Sequence, residues 1–411
     1  MTNDEGRQPA PLDPAALAAT MQPFGWARTL PRAAYVDEAV LTWEREHIFD
    51  GGWICVGRTD VLGGSDGSDG DIGGPAQTAI EVGATSVLVT RDAAGELRAF
   101  ANICRHRGHE LLPCGGTSSR GVVQCPYHAW SYELDGRLRL APHVGQMPNL
   151  VPDELGLLPV ALASWQGWLF VNVDGTAPPF AEHLGGLAEL VAPWAPARLR
   201  VAATHHYDLA ANWKAPIENY HECYHCPLIH PELCRVSPAD SGVNIDDVPG
   251  AFVGGASRLA PHADTMSFDG RSPVGPFPGL DAEQLRQIVY VQLFPNLLLS
   301  LHPDYVMSHR IEALTATTSR IECQWLFDPT AMAAPGFDPT YAVEFWDLTN
   351  RQDWAAVESV QRGLGSPRFV PGIFAANEDA VYHFVSMMAA AYAGSAVQRP
   401  VIGSVRPGRQ R

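Results

Sequence analysis

The sequence predicts an all-β first domain followed by an α+β domain built on an antiparallel sheet. Three observations predict it. The 411-residue length exceeds what one ordinary hydrophobic core accommodates. Short runs rich in β-branched and aromatic residues alternate with turn residues over roughly 45–175. After GTAPPF (175–180) the texture changes, and helical and strand-like periodicities mix. The expected division is therefore 1–44, a tail and helix packing on the second domain, then 45–175 and 176–411.

Taken in order, MTNDEGRQPAPL (1–12) reads as a loose tail. YVDEAVLTWEREHIF is helix-like and WICVGR strand-like. GGSDGSDGDIGGP (63–75) has low complexity and reads as a surface insertion. TAIEV, TSVLVTRD, LRAFANI, GVVQC and WLFVNV read as strands, and Asp135-Gly136 between two alternating runs signals a hairpin. In the second half EHLGGLAELVAPW (182–194) reads as a helix, LRVAATHHYDLAAN as a strand and NWKAPIENYHECYH (212–225) as a helix. Strands are expected around 287–301, 304–314 and 318–327, then helices near 339–364 and 376–393. No internal repeat is present.

Composition narrows the function classes. A formal charge of −17 argues against nucleic acid or an anionic membrane surface as partner. No apolar run is long enough to span a bilayer, and the first forty residues lack a secretory pattern, so a cytoplasmic location is expected. Eight cysteines in 411 residues do not make a disulfide scaffold. In a reducing compartment, paired Cys and His point to metal.

Such pairs occur in CRHRGHELLPCGGTSSRGVVQCPYHAW (104–130). Cys104 and His106 form one arm, Cys125 and His128 the other, with eighteen residues between. Structural zinc is one reading, although zinc fingers group like ligands in one knuckle. One Cys and one His on each arm suits a cluster with two inequivalent irons, one taking the thiolates and the other the imidazoles. His109 and Cys114 lie between the arms and read as packing or surface residues.

NWKAPIENYHECYHCPLIHPEL (212–233) holds a second constellation. His225 and His230, five apart, diverge on a regular helix, but Pro227 between them should break it and could let them converge. Glu222 would share a helical face with His225. Two His and one carboxylate make the facial triad of Fe(II) oxygenases. Candidate carboxylates are Glu222, Asp353 in the first turn of an expected helix over 351–363, and Glu378 or Asp379 as fallbacks. For Asp353 the plain alternative is an acid stabilised by a helix N-terminus. His205, His206, His221 and His262 read as surface or core residues, as do His302, His309 and His383. Cys223, Cys226 and Cys234 read as packing around the site.

CRHRG followed by CPYHAWSY strongly resembles the Rieske [2Fe–2S] domain of the Rieske non-haem iron oxygenases. NWK, E-x-x-H-x4-H-P and D-x3-VESVQRGL are similar to the iron-binding segments of the same family. The resemblance implies Cys104 and Cys125 on one cluster iron, and His106 and His128 on the other. It implies His225, His230 and Asp353 on a mononuclear Fe(II), in a helix-grip (START-like) catalytic domain. It also implies Glu222 as a bridge hydrogen-bonding His225 in its own chain and His128 of a neighbouring one, within a homotrimer. Electrons would come from NAD(P)H through a flavin/iron–sulfur reductase, directly or via ferredoxin, and O₂ would be the oxidant.

The chain most resembles family members acting on glycine betaine, stachydrine, carnitine or choline-like compounds, which implies hydroxylation and N-demethylation of a quaternary ammonium substrate. Aromatic cages suit such cations; Tyr290, Phe294, Tyr305 and Trp325, then Phe369, Phe374 and Phe384, are candidates. Arg310 or His309 would serve a substrate carboxylate. Two other readings stay open: an aromatic-ring or secondary-metabolite hydroxylase of the same family, and a Rieske electron carrier without oxygenase activity.

Overall fold

The computed structural model describes residues 8–59, 74–144, 151–395 and 397. The Gly/Asp-rich insertion lies outside them up to residue 73. The chain divides into two compact units, Glu44–Phe180 and a second formed by the residues before Glu44 together with those from Ala181 onward.

The Glu44–Phe180 unit is β-rich, as alternation and turn signals require. Ile54–Arg58, Trp168–Asn172, Pro159–Trp165, Leu97–Ala101, Thr85–Arg91, Ala76–Val82 and Thr117–Ser118 lie side by side in that order in one antiparallel sheet. Val123–Gln124, Ser131–Tyr132 and Leu138–Leu140 form a small second sheet. The Asp135-Gly136 turn joins its last two strands, with Gly136 at φ +86, where a side chain would be strained. Pro159–Trp165 was not expected as a strand. Its apolar residues do not alternate cleanly, and its pairing with Trp168–Asn172 is set by a turn at Gln166-Gly167, both at positive φ.

In the other unit, an antiparallel sheet runs in the order Arg200–Leu209, Thr318–Phe327, Val306–Thr315, Leu297–Leu301, Gln287–Leu293, Phe252–Arg258, Val243–Asn244. The expected single strand over 287–301 is instead a tight hairpin, turned at Phe294-Pro295-Asn296 because Pro cannot continue a ladder. Helices Thr340–Leu364 and Asp379–Tyr392 belong to the same unit. The 182–194 helix is interrupted at Gly185-Gly186: Gly185 has φ +52, and a Cβ there would sit 2.2 Å from the Pro249 carbonyl oxygen. The helix expected over 212–225 stops at Tyr220. Short helices Cys226–Ile229 and Pro231–Val236 follow, each with proline in its first turn, where its missing N–H costs nothing. Ala33–Val36 belongs to this unit too: Tyr35 Oη donates to Glu218 Oε1 at 2.6 Å, and Gln361 Nε2 donates to the Tyr35 carbonyl at 3.2 Å.

Candidate metal centres and active-site cavity

In the β-rich unit the Cys-x-His arm at Cys104 and the Cys-x-x-His arm at Cys125 share one turn pattern. The Cys104 N–H donates to the His109 carbonyl at 2.8 Å and the Gly108 N–H to the Cys104 carbonyl at 3.0 Å. The Cys125 N–H donates to the Trp130 carbonyl at 2.8 Å and the Ala129 N–H to the Cys125 carbonyl at 3.1 Å. Each turn reverses through a left-handed residue, Gly108 at φ +73 and Ala129 at φ +59. One closes the Ile103–Glu110 bridge, the other the Val123–Tyr132 pair.

These turns bury both sulfurs and leave both imidazoles exposed. Cys104 and Cys125 are each 2 % exposed, in a core with Trp130, Tyr132 and Leu134. The His106 and His128 rings lie 4.8 Å apart, and His106 stacks on Trp130 at 5.0 Å. Tyr132 Oη lies 3.3 Å from Cys104 Sγ and accepts from the Arg105 N–H at 3.0 Å. Burial pushes the Tyr132 hydroxyl up, so it stays protonated and can donate to the sulfur. Two thiols inward and two imidazoles outward fit a cluster with a thiolate-bound and an imidazole-bound iron. His109 and Cys114 are exposed and lie outside this arrangement.

The second centre is assembled across the sequence. Nε2 of His225 and Nε2 of His230 are 3.2 Å apart; Asp353 Oδ1 lies 3.2 Å from the first and 2.8 Å from the second. Donors bound to one ion at about 2.1 Å and at right angles lie roughly 3 Å apart, so this triangle has the dimensions of one face of an octahedral site. Among the described residues it is the one group of three or more such side chains that converges on a point.

The outer ring nitrogens are also held. His225 Nδ1 donates to Glu222 Oε1 at 2.5 Å, and His230 Nδ1 donates to Gln352 Oε1 at 2.7 Å. Both bonds fix the tautomer and leave the Nε2 lone pairs facing the common point. Burial works against a charge on His225, but Asp353 and Glu222 outweigh it and raise its pKa to about 9. Burial likewise opposes ionisation of Asp353, yet its bonds to His225 and His230 keep it below the usual carboxylate range. The pocket between the carboxylates thus favours a positive charge where a metal cation would sit.

Local structure departs from expectation at three points. Glu222 is not on a helix: it reaches His225 by folding back, with Oε2 accepting from the backbone N–H of Tyr224 and, at 3.2 Å, of His225. Asp353 is not in a first turn but in the middle of Thr340–Leu364, which removes the helix-terminus explanation for an acid there. Cys223 and Cys226 are joined in a disulfide on either side of His225, so they are not separate packing residues. Glu378 accepts from the Ala375 N–H and Asp379 heads the last helix; neither joins the triangle. His221 is turned away, 2.7 Å from Gln292 Oε1. Gln352 was missed, because a lone amide beside an acid carries no sequence signal.

The triangle opens into a cavity of about 1300 Å³. Of the aromatic candidates Tyr290 and Phe374 line it, while Phe294, Tyr305, Trp325 and Phe384 are buried elsewhere in the core. Tyr220, Trp346 and Trp354 line it as well. His309 lines it and is 4 % exposed; burial lowers its pKa to about 4, so the ring is neutral. Arg310 points to the opposite face of the sheet, paired with Glu322 at 3.3 Å, as strand alternation demands.

Fold and sites together fit a two-centre oxidoreductase, with a candidate thiolate/imidazole cluster site in the β-rich unit and a candidate two-His, one-carboxylate metal site opening into the α+β unit's cavity. Comparison with known proteins gives the family. Residues 53–154 match the Rieske [2Fe-2S] domain and residues 196–394 the ring hydroxylating alpha subunit (catalytic domain). The glycine betaine monooxygenase oxygenase subunit of Chromohalobacter salexigens is 31% identical over 382 residues, covering 84% of this chain and 81% of that one. The choline monooxygenase of Beta vulgaris is 26% identical over 370 residues, covering 87% and 76%. The quaternary ammonium Rieske monooxygenase CntA with L-carnitine superposes with a TM-score of 0.72 at 24% identity, covering 93% and 99%. Naphthalene 1,2-dioxygenase from Rhodococcus gives 0.72 at 19%, covering 92% and 96%, which shows the shared fold. The chain belongs to the Rieske ring-hydroxylating oxygenase alpha subunits and is an oxygen-incorporating oxidoreductase using a [2Fe–2S] cluster and a mononuclear non-haem iron. Among the described residues no helix is long and apolar enough to cross a membrane.

Proposed function

We propose that this chain is the terminal oxygenase of a monooxygenase system acting on a quaternary ammonium compound of the glycine betaine kind, removing an N-methyl group by hydroxylation. Cys104, His106, Cys125 and His128 hold the cluster; His225, His230 and Asp353 hold the iron. The observation that carries the reading is the triangle of three donor atoms, 2.8–3.2 Å on a side, opening into an aromatic-lined cavity. The names of the relatives support the substrate class.

Iron held by His225, His230 and Asp353 would supply O₂ activation, and a cluster on Cys104, His106, Cys125 and His128 would supply single electrons for it. The chain's own residues do the rest. Glu222 and Gln352 hold the two imidazoles in the tautomer that binds metal. Tyr220, Tyr290, Trp346 and Trp354 offer ring faces and edges to an onium head, each face contact contributing about 0.5–2 kcal/mol. His106 and His128 are exposed, so a cluster held by the two arms would be open to a partner on its imidazole side. Glu222 then bridges to His128 of a neighbouring copy in a homotrimer, since a head-to-tail contact of this kind closes into a ring. An NAD(P)H-dependent flavin/iron–sulfur reductase feeds the cluster, and the system operates in the cytoplasm.

Metal content and turnover test this together. Three irons per chain with acid-labile sulfide for two, and formaldehyde release from a betaine in the presence of a generic reductase and NADH, are expected. Two irons per chain identifies an electron carrier instead. Hydroxylation of an aromatic acid with no O₂ uptake on any onium compound overturns the substrate class.

A further inference from the structure

The disulfide Cys223–Cys226 sits where a chemical change would be felt at the metal site. Its two residues bracket His225, with Cα atoms 4.9 Å apart. From 221 to 225 the chain is in neither helix nor strand. Three links close this stretch. The Cys226 N–H donates to the Cys223 carbonyl at 3.3 Å, the Glu222 carboxylate accepts from the N–H groups of Tyr224 and His225, and the disulfide joins the side chains. The Cys226 carbonyl also accepts from the His230 N–H at 2.9 Å. The sulfur–sulfur bond therefore ties the backbone that carries Glu222 to the backbone that carries both imidazoles.

A bridge between residues three apart closes a very short loop, so it restrains the unfolded chain less than a long-range bridge would. Its consequence is local. Both cysteines line the cavity, and they differ in access: Cys226 is 4 % exposed, Cys223 is half-buried. In a reducing compartment a disulfide of this kind is made and broken, not permanent. Hydrogen peroxide, the product of O₂ with two electrons and two protons, can make it. The Cys223 thiol and peroxide give a sulfenic acid and water; the sulfenic acid and the Cys226 thiol give the disulfide and a second water. The O–O bond breaks, and the two sulfurs together lose two electrons and two protons. A dithiol reductant reverses the step by exchange.

We infer that Cys223 and Cys226 form a reversible peroxide-responsive redox site, whose disulfide form holds Glu222 and His225 in the iron-binding arrangement and whose dithiol form loosens it. The inference rests on His225 as an iron ligand.

Thiol mapping of the holoenzyme tests the chemistry. After anaerobic treatment with a phosphine reductant, alkylation of the unfolded protein and peptide mass spectrometry should label Cys223 and Cys226; without reductant, or after hydrogen peroxide is added back, both should be protected. In Cys226→Ser, peroxide should leave a sulfenic acid at Cys223 that dimedone traps; in Cys223→Ser, dimedone should leave Cys226 unlabelled. Iron loss to a chelator tests the consequence. The reduced holoenzyme should lose mononuclear iron about tenfold faster than the oxidised form, with peroxide restoring the slow rate, and Cys223→Ser should lose it at the fast rate in either condition. Thiols that stay free under peroxide, or a single rate of iron loss in both states, overturn the inference and leave the iron site standing. If His225→Ala keeps its mononuclear iron, the ligand assignment falls and the inference falls with it.

Discussion

The two proposed metal centres solve one problem, holding metal-ligating donors in a fixed array, by opposite means. At the proposed cluster site the Cys-x-His and Cys-x-x-His arms are each a single turn closed by its own backbone hydrogen bonds, and the two turns share one hydrogen-bond pattern. At the mononuclear site the backbone brings the ligands only near. His225 and His230 sit on a broken helix and Asp353 more than a hundred residues later; side chains of Glu222 and Gln352 then orient the rings. Positions set by local backbone geometry tolerate change in their surroundings. Positions set by side-chain partners depend on each partner, and the same partners tune the metal.

Removing ligands should break the contrast most sharply. Cys104→Ala is expected to abolish turnover with loss of the visible cluster chromophore, leaving one iron per chain by elemental analysis. His225→Ala is expected to abolish turnover as well but to keep the chromophore and two irons. A variant of either kind that empties both centres would show that they are not separate.

The orienting partners come next. Glu222→Gln and Gln352→Ala should each cost roughly 10–100-fold in iron affinity or kcat. For Glu222→Gln the rate of cluster reoxidation in single turnover should also fall, because the carboxylate is proposed to link the centres; reoxidation at the parent rate would refute the bridge. Gln352→Ala should leave the parent rate of cluster reoxidation intact once iron is saturating.

Acid should distinguish the two units by stability. In the catalytic unit burial lowers the pKa of His183, His221 and His309 to about 4 and of His302 to about 3. The unfolded chain, with ordinary imidazoles near 6.5, binds protons there that the folded chain refuses, so stability falls as pH drops from about 6.5 towards 4. Glu218 and Asp304, raised by burial to about 7 and about 6, act in the opposite sense. Four groups against two leave a net uptake of about two protons on unfolding, or roughly 3 kcal/mol lost per pH unit near pH 5.5. The melting temperature followed by tryptophan fluorescence should fall across that window; a flat profile would contradict the burial of these rings.

The smallest effect belongs to the matched turns. Gly108→Ala meets no atom within 4 Å, so its cost is the left-handed backbone alone, about 1 kcal/mol. Ala129→Gly at the equivalent position removes that penalty and should change stability by less than about 1 kcal/mol in the favourable sense. Chemical denaturation of the cluster-bearing form measures both.

Legibility followed sequence distance. The cluster arms, the Asp135-Gly136 hairpin and the break at Pro227 are local, and each could be read from residue type and spacing because a few consecutive torsions decide them. Resemblance, not periodicity, pointed to Asp353. The helix expected near 339–364 is there, as Thr340–Leu364, but Asp353 was read in the first turn of a stretch over 351–363 and instead lies more than three turns past Thr340.

Residue chemistry alone determined which donors this chain has, how they are grouped, and where its helices and strands must stop. Folding at long range decided the rest: Gln352 behind His230, Asp353 brought onto His225 and His230, and His309 facing the cavity while Arg310 faces away. A one-residue change of strand register exchanges those last two, and register is settled by burying one face of the sheet, a property of the whole layer and not of any segment.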